Sequence, residues 1–179
     1  MNTLKLKPTT NQTKKGFTII EVVLVLAIAG LIFLIVFIAL PALQRNQRDT
    51  QRKNDTSRLK TAIDSYKANN RDSLPWSGAT SQYASNNSFA RSYLKSNEGE
   101  FKDPSGNEYT LFFDNQYVIA GTNGYTPGSY AVYLNMGVIY MFITRNKECS
   151  GGSVNNIDAP NRYAIQVPLE GGGVYCVDG

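Results

Sequence analysis

Residues 17–43 run from Phe17 to Leu43 with Glu21 as their only charge, and they stop abruptly at Gln44-Arg45-Asn46-Gln47-Arg48. At about 1.5 Å per residue this tract makes a helix about 40 Å long, enough to cross a hydrocarbon core of about 30 Å. A helix apolar on every face has to be buried on every face, in lipid or among other helices. The rest of the 179-residue chain is polar and rich in aromatics, so the tract reads as an appendage to a head with its own core.

The net charge of +4 suggests affinity for polyanions, but its distribution does not. Lys5, Lys7, Lys14 and Lys15 lie in residues 1–16, and without them the chain carries 14 basic and 14 acidic side chains. Residues 44–60 hold six basic and two acidic groups, which reads as a solvated helix face beside a membrane. Histidine is absent, and no Ser-Lys or paired-carboxylate arrangement stands out, so the expectation is a protein that is not an enzyme. Cys149 and Cys176 are the two cysteines. In an exported chain such a pair closes a disulfide, with two buried thiols as the other reading.

Three readings compete for the N-terminus. A general secretory signal has a shorter apolar region and a small-x-small cleavage site, neither of which fits. An ordinary membrane anchor explains the length but gives Glu21 no role, and a carboxylate in hydrocarbon costs about 2.5 kcal/mol or more. The third reading is a basic leader cut just before the apolar tract. Lys14-Lys15-Gly16-Phe17-Thr18-Ile19-Ile20-Glu21 closely resembles the processing motif of type IV prepilins. The resemblance implies cleavage between Gly16 and Phe17 by a membrane-embedded prepilin peptidase, and N-methylation of Phe17. It also implies assembly with other copies of the chain into a helical filament, helped by pilus assembly machinery in the inner membrane.

The motif has its own physical logic. Cleavage would create a charged amine on Phe17, at the end of a helix where the dipole disfavours a cation. Glu21 lies one helical turn on and could neutralise that amine or a neighbouring chain's. In a dry bundle such a pairing acts as a register device, because a misaligned charge is penalised. Gly30 and Pro41 suggest unwinding or a bend within the tract.

Residues 44–58 have no apolar stripe and read as a solvated continuation of the helix. Leu59, Ala62, Ile63 and Tyr66 then form one apolar face. The expected helix spans 17–70. Residues 71–107 read as a connecting region with a short helix at 88–95, and strands are predicted at 109–113, 117–120, 130–134, 138–143 and 163–167. Gly171-Gly172-Gly173 reads as a hairpin turn before Val174-Tyr175-Cys176, and Asp103-Pro104-Ser105-Gly106-Asn107 as a turn too poor in oxygen ligands for calcium. No metal or cofactor is therefore expected.

The expected fold class is α+β and pilin-like: a long helix whose C-terminal half lies on an antiparallel sheet. The expected organisation is leader 1–16, apolar helix 17–43, helix continuation 44–70 and head 71–179. The functional expectation is a filament subunit serving motility, adhesion or DNA uptake, held first in the cytoplasmic membrane with its head outside and then in an extracellular pilus. The alternatives are a pseudopilin of a type II secretion or competence machine, and a minor pilin or tethered module binding a surface or DNA ligand.

Overall fold

A computed structural model of the chain describes residues 16–76, 80–114 and 139–179. Lys14, Lys15 and the rest of the leader before Gly16, the strands expected at 117–120 and 130–134, and the first residue of the one expected at 138–143 lie outside the described residues. The chain divides into two compact units, residues 1–41 and residues 42–179. Helix α1, Ile19–Asn69, supplies the first unit's described helix and continues into the second.

In the first unit the apolar side chains are exposed, with Phe17 89% and Ile19 86% accessible. The most apolar window of α1 has a mean hydropathy of 3.4 and none of it is buried within the chain. Gly30 and Pro41 do not interrupt the helix. Pro41 lacks an N–H, so only the bond it would have donated to the Phe37 carbonyl is missing, while neighbouring residues keep the ladder going.

The second unit packs the end of α1 on a mixed sheet. Its strands are β1 (Thr80–Tyr83), β2 (Tyr109–Asp114), β3 (Ile139–Arg145), β6 (Tyr163–Pro168) and β7 (Val174–Asp178), in spatial order β1-β2-β3-β6-β7. A hairpin of β4 (Lys147–Ser150) and β5 (Ser153–Asn156) forms a second small sheet. Three joins of the larger sheet are antiparallel, but β2 and β3 run parallel, Leu111 opposite Met141 and Phe113 opposite Ile143. Parallel neighbours need a crossover of about a dozen residues or more, and residues 115–138 provide that length.

Alternation along the strands sends Tyr109, Leu111, Phe113, Met141, Ile143, Tyr163, Ile165 and Val167 into one core with Leu59, Ala62 and Ile63 of α1. The connecting region closes this core with Trp76, stacked on Phe113 at 4.7 Å, and with Phe89, Leu94 and Phe101. Phe89 and Leu94 come from helix α2, Ser88–Leu94, whose first turn is capped by Asn87 accepting from the Ala90 N–H at 3.0 Å.

The other face of the sheet carries the β4–β5 hairpin. Cys176 is the register partner of Gln166, whose amide donates to the Gly152 carbonyl at 2.7 Å, so a fully buried glutamine is satisfied under the hairpin. A Cys149–Cys176 disulfide, Cα atoms 5.8 Å apart, joins the hairpin to β7. Closing a loop of sequence separation 27 stabilises the fold by about 3.5 kcal/mol through chain entropy. Reducing the bond in the intact chain is therefore expected to lower the denaturant midpoint by the equivalent of about 3 kcal/mol, read by urea titration with and without reductant.

Candidate functional site

Two groups of polar residues stand out on α1, one at its start and one along the inward face of its second half. The first is the start of the helix. Val22 N–H donates to the Thr18 carbonyl at 3.3 Å, which makes Thr18 the residue just outside the first turn. The Thr18 N–H donates to Glu21 Oε2 at 2.9 Å, its hydroxyl donates to the same oxygen at 2.8 Å, and the Glu21 N–H reaches back to Thr18 Oγ1 at 3.4 Å. This is a capping box, in which a threonine and a glutamate three residues on satisfy each other's otherwise open backbone donors. The pattern Thr-x-x-Glu before an apolar run is a readable signal of it. Taking Glu21 as a charge alone overlooks that role.

Gly16 and Phe17 precede this box in non-helical backbone, and a Cβ added at Gly16 would meet no described residue within 4 Å. Glu21 thus has a partner inside its own chain before any cleavage. Gly16, Phe17 and Glu21 sit together at the helix start; Cys149 and Cys176 lie in the head and serve its architecture.

The second group corrects the expectation of a solvated face at residues 44–58. Asp49, Arg52, Asp55 and Thr56 are buried, and they continue towards the N-terminus the same stripe that Leu59, Ala62 and Ile63 form. The inward face of α1 changes from apolar to ionic without changing sides. Arg52, 3% exposed, donates from Nε to Asp103 Oδ1 at 2.6 Å and from Nη2 to Glu170 Oε1 at 2.8 Å. Arg48 donates from Nε to Glu170 Oε2, also at 2.8 Å. Asp49 accepts from the Glu170 and Gly171 N–H groups at 2.7 and 2.9 Å, pinning the turn between β6 and β7. A Cβ at Gly171 would sit 3.0 Å from Asp49 Oδ2, so a side chain there would press on the carboxylate that pins the turn. Asp55 accepts from the Tyr109 hydroxyl at 2.9 Å and pairs with Arg58 at 3.2 Å.

Asp103 also accepts from the Ser105 N–H at 2.9 Å, so the loop read as a poor calcium site is organised around a guanidinium. Burial pushes the Asp103 carboxyl up, but hydrogen bonds from Arg52 and Ser105 outweigh it and hold its pKa below the ordinary value. Asp64 behaves likewise: burial is overcome by hydrogen bonds from Lys60 and Tyr163. Asp55 goes the other way, because burial raises it more than Tyr109 and Arg58 lower it.

The signs give a pH prediction. Asp103 and Asp64, with lowered pKa values, contribute stability that is complete above the unfolded value of about 4 and is lost as pH falls through their folded values. Asp55 contributes oppositely, its share being complete below the unfolded value and lost as pH rises through its raised folded value. The melting temperature of the head is expected to fall on acidification below about pH 4. Asp103→Asn should flatten that fall and Asp55→Asn should steepen it.

Residues 11–37 match the family model of the prokaryotic N-terminal methylation motif. The chain therefore carries the signature of type IV pilin-like prepilins, on the start of a long apolar helix joined to an α+β head. No curated protein and no solved structure matches the chain significantly.

Proposed function

We propose that the chain is the precursor of a structural subunit of a type IV pilus. It waits in the cytoplasmic membrane on its apolar helix, is cut between Gly16 and Phe17 by prepilin peptidase, is N-methylated on Phe17, and assembles with further copies into a filament. The observation that carries this reading is the methylation motif set directly on a helix whose apolar side chains find no cover within their own chain. Lipid can cover them before assembly, and the same helix from other copies can cover them afterwards. The Cys149–Cys176 bond suits a head that works outside the cell.

Antibody against the head should label filaments regularly along their length; label confined to filament tips or to membranes would contradict the structural-subunit reading and favour a minor pilin or pseudopilin. Because a Cβ at position 16 would meet none of the described residues within 4 Å, Gly16→Leu leaves the described fold undisturbed and reports on the peptidase. The variant is expected to accumulate uncut, seen as a heavier band on immunoblots of membranes.

A further inference from the structure

The sheet face turned away from α1 holds a cleft that the filament reading does not use. Its volume is about 390 Å³, within the range of about 300–1,000 Å³ typical of small-molecule sites, and it is lined by Gln82, Tyr83, Asn86, Thr110 and Tyr140. Tyr83, Thr110 and Tyr140 lie in one row across β1, β2 and β3, Tyr83 opposite Thr110 and Thr110 opposite Tyr140. Strand alternation puts Thr110 and Tyr140 on the face opposite Leu111 and Met141 of the core.

Two features of this row are not explained by packing. Tyr83 is 50% exposed, the exposed large hydrophobic side chain among the described residues beyond Leu43. Thr110 is 5% exposed and its Oγ1 is buried with no hydrogen-bond partner. A buried hydroxyl left unpaired is destabilising, and valine would fill the same space without that cost. The Gln82 side-chain oxygen accepts from the Asn87 amide at 3.2 Å, which orients the carboxamide and leaves its NH₂ as a donor.

None of the described lining residues is charged. The lining offers two tyrosine rings, two carboxamides and a hydroxyl, drawn from β1, β2, β3 and the turn after β1. From this arrangement we infer that the cleft binds a neutral sugar ring, as the terminal residue of a glycan. The apolar C–H face of a pyranose stacks on tyrosine, and its ring hydroxyls, each both donor and acceptor, match carboxamides and a threonine hydroxyl. An anionic or cationic ligand would find no counter-charge among these described residues. The inference does not depend on the filament reading, since it concerns the head alone.

The test uses the full chain in dodecylphosphocholine, a detergent without a sugar headgroup. Saturation-transfer NMR is run with galactose, N-acetylglucosamine and N-acetylgalactosamine, and with an uncharged tetra-alanine peptide. At least one sugar should receive saturation at its ring protons, with affinity weakened about tenfold or more in both Tyr83→Ala and Thr110→Val. The melting temperature of Thr110→Val should be unchanged or higher. No transfer to any of the three sugars, equal transfer in the variants, a stronger signal from the peptide, or a lower melting temperature for Thr110→Val would each overturn the assignment.

Discussion

Glu21→Gln is expected to be cut after Gly16 at the parental rate and to yield almost no filament. Glutamine can keep the capping box, because its side-chain oxygen can still accept from the Thr18 N–H where Glu21 now does at 2.9 Å. What it removes is the charge. Once the leader is cut, the Phe17 amine stands at the positive end of a helix, and in a bundle of apolar helices it has no water to solvate it. A buried charge stripped of its partner costs about 3–5 kcal/mol. Lost at every subunit contact, about 3 kcal/mol weakens each addition by more than about a hundredfold, which a polymer cannot absorb. Sheared filament yield and the ratio of cut to uncut chain, measured on the same cells, separate the two steps. Parental filament yield from Glu21→Gln with failure of Glu21→Ala would assign the residue's importance to the cap rather than to its charge.

Arg52→Met is expected to destabilise the head by about 3–5 kcal/mol, the usual consequence of leaving buried carboxylates unpaired. Arg52 lies 2.6 Å from Asp103 and 2.8 Å from Glu170, and the Asp103 side chain is fully buried, so water cannot replace the guanidinium there. The loss should show in urea titration of the intact chain followed by tyrosine and tryptophan fluorescence. Arg52→Met with Asp103→Leu should recover part of it, since an apolar pair of similar volume is often no worse than the ion pair it replaces. Additive losses in the double variant would mean that the two residues act independently, contrary to their geometry.

Much of this fold is legible in the sequence because its strongest signals are apolar. The tract 17–43, the stripe Leu59, Ala62, Ile63, and the runs at Tyr109 and Tyr163 all announce buried or lipid-facing surface. The ionic stripe Asp49, Arg52, Asp55 has the same spacing but escapes a reading that counts only apolar residues; its partners Asp103 and Glu170 are distant in sequence. Strands β1, β4 and β5 are short and polar, and hydrogen bonding to neighbours rather than propensity makes them strands. Gly151-Gly152 between β4 and β5 was a hairpin signal, with Gly151 at φ 64°. The parallel join of β2 and β3 has no local signature, because it depends on where the segment 115–138 returns the chain.

At the helix start, Gly16-Phe17…Glu21 is legible as part of an N-terminal methylation motif, and the capping box adds what the uncut chain does with the glutamate. Thr18 fixes the first turn and holds the Glu21 carboxylate against its own N–H and hydroxyl, two residues after Gly16.

The central claim, that this is a precursor cut and methylated at the start of its apolar helix, is tested most directly by intact-mass measurement and N-terminal sequencing of the protein from its own cells. The account predicts a mature chain beginning at N-methyl-Phe17 and lighter by two hydrogens for the Cys149–Cys176 bond. A chain still beginning at Met1, present as the main species in membranes and in sheared surface material alike, would contradict it.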